Sequence, residues 1–344
     1  MKQTAIVILN WNGKKLLEQF LPSVLQHTPV DEADIIVADN GSTDDSIGFL
    51  QTHYPSIIVH ALGQNYGFAE GYNRALVDLD YKYIALLNSD VEVSPDWLRL
   101  AIDYLETHPK ITAIQPKILS YRNRAFFEYA GACGGFLDKN GYPFCRGRVL
   151  NMIEVDAGQY DDPVQIFWAS GACFFIRLQD FKEAGGFDAA FFAHQEEIDL
   201  CWRLNARGKQ MVCLPQSVVY HLGAATLKKS NPQKDYLNFR NNLLMLYKNL
   251  PNPYYSQIIR IRFFLDYLSA LHYLLQGQCT NAWAICKARF DFRRMKVQYS
   301  RIRRENLEQS SIEMPNTILP QSLIWEYYVK GKKKFSQYGK KTVG

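Results

Sequence analysis

Three groups of side chains in this chain have the types and spacing for chemistry. Residues 83–90, YIALLNSD, run from an apolar body straight into Asn88, Ser89 and Asp90, with Glu92 two positions on. Residues 34–40, DIIVADN, end on Asp39 and Asn40, and residues 4–11, TAIVILNW, end on Asn10 and Trp11. Farther along, QEEIDLCWR places Glu196, Glu197 and Asp199 at the start of a helical pattern. A carboxylate at a strand end suits a hard divalent cation, Mg²⁺ or Mn²⁺, which takes oxygen ligands from one or two carboxylates and from substrate phosphates. Such an ion compensates the charge that a diphosphate gains as it departs. A second carboxylate can take the proton of an attacking hydroxyl. Ordinary turn chemistry accounts for Asn-Ser-Asp in isolation, but not for polar endings on four strands in succession.

The elements that must position these residues are legible through residue 110. Strands are expected at 4–11, 34–40, 56–62 and 83–90, with helices at 14–27, 43–53, 69–79 and 95–107. The intervals have the length of βαβ crossovers, and the near-continuous Ile, Val and Leu of the strands fit burial on both faces, so the fold class is α/β with a mostly parallel sheet flanked by helices. Ser94 as N-cap, Pro95 as first helical residue and Asp96 in the first turn are expected to start the fourth helix. In open α/β sheets ligands bind outside the carboxyl ends of the strands, which is where the polar residues fall. Residues 111–165 show little periodicity. The pattern resumes with an apolar strand at 166–177 broken by small residues, a helix at 196–206 with Gly208 past its end, and a strand closing on His221. Beyond 235 the sequence is helical.

Composition narrows the class. At 344 residues, 47% hydrophobic and 21% charged, the chain suits one large folded domain plus an appended region. Seven cysteines form no CxxC pair and most lie in apolar runs, as expected of reduced interior residues in a cytoplasmic protein. The amino terminus carries no cleavage site, so no signal peptide is expected. The first strand is followed by NWNGKK, which is neither the GxGxxG of a dinucleotide site nor a glycine- and arginine-rich nucleotidyltransferase loop, and no GxxxxGK[ST] is present. Basic residues concentrate late: 287–304 hold eight Lys or Arg and one Asp, and 330–341 hold six Lys and no acid, leaving the rest net acidic. That argues against nucleic acid as a partner of the body and for a tail that meets an anionic membrane surface. The uncharged stretch 267–286 is interrupted by Gln276, Gly277, Gln278, Thr280 and Asn281, which favours an interfacial helix or helical hairpin over a span.

The runs IVILNWNG, VADNGSTDDS, NYGFAEGYNRA, LLNSDVEV, ASGACFFIR, GGFD and EEIDLCWR, in this order over residues 4–225, resemble the inverting GT-A glycosyltransferases of family 2, in their rhamnosyltransferase-like branch. The resemblance implies a GT-A catalytic domain over 1–230, with a nucleotide-sugar half at 1–110 and an acceptor and catalytic half at 111–230, followed by a helical, basic region at 231–344. It implies transfer of a sugar from a dTDP- or UDP-linked donor to a glycan or polyprenyl-diphosphate-linked acceptor, at the inner face of the cell membrane, in cell-surface polysaccharide assembly. Asp39 matches the acid that binds the donor base, with Asn10, Trp11 and Asn40 lining that pocket. Gly67 and Arg74 lie beside the donor, as do Asn88 and Ser89. Asn88 stands where the family's metal-binding motif has its first Asp, which leaves Asp90, with His221, as the expected ligands of a divalent Mg or Mn ion. Trp168, Ser170 and Gly171 match the acceptor side. The family's base is the Asp of a Glu-Asp pair; Glu196-Glu197 stands there, so the base lies among Glu197, Glu196 and Asp199. A nucleotide-sugar-binding scaffold without catalysis is the competing expectation.

Overall fold

The computed structural model describes residues 2–223 and 231–338. Its first half alternates β1 (Thr4–Asn10), α1 (Lys14–Gln26), β2 (Ala33–Asp39), α2 (Ser46–His53), β3 (Ile58–Ala61), α3 (Gly67–Leu76) and β4 (Tyr83–Asn88). These strands pair in parallel in the order β3-β2-β1-β4, with Asn10 opposite Asp39 and Leu9 opposite Asn88, so the three polar strand ends share one edge. Alternation along β1 fills both faces. Ala5 and Val7 join a core with Ala69 and Tyr72 of α3, while Ile6 and Ile8 join another with Leu17, Leu21 and Val24 of α1.

The chain continues through β5 (Val91–Val93), α4 (Trp97–Thr107), β6 (Ile111–Ser120), the short β7 (Gly135–Asp138), β8 (Pro143–Cys145), β9 (Arg148–Val149) and β10 (Met152–Ile153), then β11 (Val164–Ile166), β12 (Cys173–Arg177), α5 (Leu178–Glu183), α6 (Glu196–Ala206) and β13 (Gln210–His221). The sheet is mixed beyond β4: β12 inserts antiparallel between β4 and β6, and β13 runs parallel to β6. β5 pairs antiparallel with the end of β13, opposing Val91 to His221 and so delivering Asp90 beside His221. The same pairing corrects the expected start of α4. Ser94 donates from its backbone (3.2 Å) and its Oγ (2.7 Å) to the Val218 carbonyl and caps nothing, while Asp96 takes a left-handed φ of 59° ahead of the first helical residue, Trp97.

The carboxyl-terminal region is α7 (Pro232–Asn249), α8 (Asn252–Leu275), α9 (Cys279–Met295), α10 (Ser300–Glu308), β14 (Ile318–Leu319) and α11 (Leu323–Tyr328). Asn231 caps α7 by accepting from the Gln233 N–H at 2.8 Å, with Pro232 first in the helix. α8 and α9 form a hairpin across Gln276–Gln278, and among the described residues no helix is long and apolar enough to cross a membrane. The region is knit to the body rather than trailing from it: β14 adds in parallel to β7 in the small sheet β10-β9-β8-β7-β14, and Phe335 packs on Phe136 and Phe144.

This folding back changes the reading of the two basic runs. Arg289 and Arg303 are buried, Arg289 against Asp266 and Arg303 against the Tyr247 carbonyl and Asn252. Lys330 and Lys332 both pair with Glu326, and residues 339–341 lie outside the described part. Fewer cations therefore face outward than the sequence suggests. Five cysteines are buried as expected, but Cys279 is exposed at the start of α9.

Candidate active site

The residues expected on the donor side lie at the ends of β1 and β2. Asn10 Nδ2 donates to Asp39 Oδ2 (3.0 Å) and to Ser42 Oγ (3.2 Å), and Asp39 Oδ1 accepts from the Ser42 N–H (2.9 Å). Asp39 thus closes the turn after its strand, while Asp44 accepts from the N–H groups of Lys14 and Ser46 to bind the starts of α1 and α2 together. Asn10 Oδ1 is buried with no partner, an acceptor aimed beside Gly13 at the sheet edge. Asn40 links this edge to α3, donating to the Gly67 carbonyl at 3.0 Å and accepting from the Tyr66 N–H at 3.0 Å. Trp11 is 49% exposed at the rim.

At the end of β4 the chain makes a carboxylate–imidazole–carboxylate line. Asp90 Oδ1 lies 3.1 Å from His221 Nε2, and Glu128 Oε2 lies 3.3 Å from His221 Nδ1. All three are buried. Burial opposes a charge on His221, but the bonds to Asp90 and Glu128 outweigh it and lift its pKa to about 10. Glu128 stands behind the ring on its Nδ1 side at ion-pair distance while Nε2 bonds to Asp90, the arrangement in which a carboxylate behind a histidine can orient it toward a metal. Once the Nε2 proton is displaced, Asp90 oxygen and His221 nitrogen form the carboxylate–imidazole donor pair that suits a divalent ion. Among the described residues no three His, Cys, Asp or Glu side chains converge on one point, so such an ion would complete its shell from substrate and water.

The start of α6 carries the acidic cluster and separates its members. Asp199 is fully buried between Lys248 (2.8 Å) and Arg203 (3.1 Å), and Asn249 donates to its other oxygen at 2.9 Å. Burial would raise its pKa, but the charges of Lys248 and Arg203 hold it low. It ties α6 to α7 and is not available as a base. Glu196 and Glu197 are the opposite case: Oε2 of each has no partner. Burial raises the pKa of Glu196 well above the usual range, with Glu197 adding to it, and burial lifts that of Glu197 to about 7. Of the two, Glu197 is the less buried. A carboxylate poised near neutrality at a helix start is suited to general-base work.

The loop that presents this pair is strained and clamped. Phe192 has φ 65° and ψ −58° with the Ala193 N–H bonded to the Phe191 carbonyl (2.7 Å), a γ-turn with positive φ, and His194 and Gln195 follow at φ 70° and 73°. Each such residue costs of order 1–3 kcal/mol and persists only where its surroundings over-determine it. Here α7 does so. Asn241 Nδ2 lies within 3.0 Å of the Phe191, Ala193 and His194 carbonyls, Arg240 donates to the Ala190 carbonyl at 2.8 Å, and Asn242 donates to Gln195 Oε1 at 3.0 Å. The Phe192 carbonyl in turn accepts from the N–H groups of Phe68 (2.7 Å) and Ala69 (3.2 Å), joining the loop to the first turn of α3. Gly67, at φ +77°, fits beneath it: a Cβ there would lie 2.5 Å from the Phe192 ring.

Several residues expected at the site are engaged elsewhere. The Trp168 indole N–H donates to the Phe136 carbonyl at 3.0 Å, and the buried Ser170 hydroxyl donates to the Ala130 carbonyl, so neither offers a group to an acceptor. Gly171 lets the Phe68 ring approach, since a Cβ there would lie 2.9 Å from it. Arg74 pairs with Glu70 at 2.8 Å and stacks on Tyr66 at 3.9 Å. Asn88 donates its backbone N–H to the Ala172 carbonyl (3.0 Å), and the Ser89 hydroxyl lies near Gly13 on the same edge as Asn10. Missed by the sequence reading were Glu128, in the unpatterned 111–165; His194, whose pKa burial pulls down to about 4; and the Arg240-Asn241-Asn242 clamp. Only the last left a signal, three polar residues against the LLML run of one helix.

A mixed sheet with an acid at the end of β2, a carboxylate–imidazole pair after β4 and helices on both faces is the architecture of GT-A glycosyltransferases. The model of glycosyl transferase family 2 matches residues 5–184, and the chain belongs to that family. It is 27% identical over 241 residues to the N-acetylglucosaminyl-diphospho-decaprenol L-rhamnosyltransferase of Mycobacterium tuberculosis, covering 63% of this chain and 75% of that one. It is 27% identical over 217 residues to the rhamnosyltransferase WbbL of Escherichia coli K12, covering 59% and 79%. Among solved structures, TarS 1-349 of S. aureus with UDP-GlcNAc superposes at a TM-score of 0.54 with 16% identity, over 90% of this chain and 89% of that one. GalNAc-T7 with UDP, GalNAc and Mn²⁺ superposes at 0.56 with 15% identity, over 74% of this chain and 49% of that one. These last two likenesses concern the fold.

Proposed function

We propose that the protein moves a hexosyl or deoxyhexosyl group, with inversion, from a dTDP- or UDP-linked donor to a hydroxyl of a glycan or polyprenyl-diphosphate-linked acceptor in cell-surface polysaccharide assembly. The observation that carries this is the gathering on one sheet edge of Asp39, the Asp90–His221 pair and, through the Phe192 carbonyl on α3, the Glu196–Glu197 helix start. The diphospho-decaprenol rhamnosyltransferase relative supports the acceptor class, and a lipid-linked acceptor is consistent with work at the cytoplasmic face of an anionic membrane.

Asp39 binds the donor base, with Asn10, Trp11 and Asn40 lining the same pocket. Asp90 and His221 would hold the divalent ion, which would supply positive charge to the departing diphosphate. Glu197 removes the acceptor hydroxyl proton, and that oxygen bonds to the anomeric carbon from the face opposite the diphosphate. The anomeric C–O bond to the diphosphate breaks as the new one forms, and the configuration inverts. Isothermal titration with UDP and dTDP, with and without Mn²⁺ or Mg²⁺, tests the donor reading. Binding that needs the metal is expected; equal affinity without it, or no binding of either nucleotide, overturns the reading. Product with retained anomeric configuration would overturn the single displacement.

A further inference from the structure

Helix α8 is inside out. Phe264, Leu268, Leu271 and Leu275 recur at i, i+4, i+7 and i+11 and form one face. That face is in solvent: Phe264 is 73%, Leu268 60% and Leu275 79% exposed. The opposite face holds Arg262 and Asp266, which are 2% and 0% exposed. Arg262 bonds to Asp266 (3.2 Å), to the Asn140 carbonyl (3.2 Å) and to Asn242, and Arg289 of α9 closes on Asp266. A helix stabilised by water would carry these residues the other way round. Its charges are instead satisfied inside, and among the described residues nothing covers its apolar stripe.

Charge decides what covers the stripe. Arg260 stands exposed one turn before Phe264 on the same face. On α9, Trp283, Lys287, Phe290 and Arg294 repeat the same spacing and are all exposed. The only acids of the two helices are Asp266, buried in the network, and Asp291, bonded to Lys287 at 2.6 Å and to Tyr236 at 2.7 Å. A second copy placed symmetrically on this surface would set like charges against like. An anionic bilayer would take the apolar side chains into its acyl boundary and the cations at its headgroups.

We propose that the outward stripe of α8, with Trp283 and Phe290 of α9, inserts into the headgroup–acyl boundary of an anionic bilayer and seats the catalytic body there. The inference rests on the lipid-linked acceptor reading and assigns the attachment to this apolar face rather than to the basic runs alone. Insertion is shallow and parallel to the surface, since the face is one side of a helix and neither helix can cross.

The test uses the full chain and vesicles of phosphatidylethanolamine with phosphatidylglycerol. Co-sedimentation is expected, with a blue shift of tryptophan emission that Trp283→Phe removes. Phe264→Ser with Leu268→Ser should weaken vesicle binding about a hundredfold while leaving the melting temperature and UDP binding unchanged. Lys287→Gln with Arg294→Gln should weaken it only about tenfold, and only where phosphatidylglycerol is present. Undiminished binding of the double-serine variant overturns the proposal. So does a wild-type chain that ignores vesicles and forms a dimer dispersed by the serine substitutions, which would give the face to a second copy. Transfer to a water-soluble acceptor without vesicles is measured separately: its absence would refute the glycosyltransfer reading and leave vesicle binding standing, and the reverse result would refute only the membrane face.

Discussion

Replacing Glu197 by Gln should make the protein more stable and nearly inactive, and the stability gain should grow with pH. The folded carboxyl titrates at about 7 against an ordinary value of 4.5, chiefly because burial disfavours its charge. In the unfolded chain the same group loses its proton at the ordinary value. Between these two pH values the unfolded state binds fewer protons than the folded one, so Glu197 lowers stability as pH rises, and above about 7 the penalty is constant. At about 1.4 kcal/mol per unit, the shift amounts to about 3 kcal/mol at pH 8 and about 1 kcal/mol at pH 5. Glutamine has no such titration and keeps the shape. Urea denaturation of both chains at pH 5 and pH 8 should show the variant gaining about 2 kcal/mol more at the higher pH, while turnover falls by ~10²-fold or more, the scale of losing a general base. The acid limb of kcat/KM in the parent chain should fall near neutrality and vanish in the variant. A variant with no pH-dependent gain would refute the burial of an unpaired carboxyl. A variant that is stabilised but fully active would move the base to Glu196, whose Gln variant then carries the loss.

Three further outcomes follow from contacts. Asn241→Ala frees the 191–194 carbonyls and should lower kcat by ~10-fold or more with UDP affinity unchanged, since about 1 Å of misplacement at the chemistry is worth that much; a change in UDP affinity alone, by titration calorimetry, would count against the clamp. Glu128→Gln should weaken Mn²⁺ binding in the presence of UDP by ~10- to 100-fold, as loss of an orienting carboxylate does; unaltered affinity would show that His221 needs no support from behind. Lys248→Met leaves Asp199 and Asp188 short of a cation in the interior and should cost about 3–5 kcal/mol in chemical denaturation, whereas a neutral result would mean that Arg203 and Asn249 suffice.

The βαβ half of the fold was legible because its signals are local. Strands of Ile, Val and Leu with polar ends, separated by helix-length intervals, specify both the crossovers and the edge on which ligands gather. That Asp39, Asp90 and His221 fall at this edge was readable for that reason. The start of α4 misled because the β5–β13 pairing, a contact between residues far apart in sequence, draws Ser94 away from the cap. Glu128 left no trace because its role is set by where β6 ends, not by any periodicity around it. The bonds of Trp168 and Ser170 were not legible either: a polar atom in a motif is as readily committed to a neighbouring carbonyl, as both are here, as to a substrate. Asp199 shows the same on α6, where three acids in four positions divide into two unpaired carboxyls and one locked ion pair.

The reversed polarity of α8 and the strain at the start of α6 are connected through a single side chain. Asn242 accepts from Arg262 on the inner face of α8 and donates at 3.0 Å to Gln195, the residue immediately before Glu196. Gln195 holds a left-handed φ of 73° with its amide bonded to Asn238 at 3.3 Å. Arg262 is therefore buried with a purpose: a leucine in its place would satisfy the core but leave Asn242 Oδ1 without its donor and the loop with one fewer fixed point. An isolated buried charge would be intolerable, which is why Asp266 and Arg289 accompany it. With the polar face turned inward to hold the loop, the apolar face of α8 is left outward, and a contiguous outward apolar face marks an interaction surface. The polar side of α8 thus braces the loop before Glu196, and its apolar side is the face proposed to rest on a bilayer.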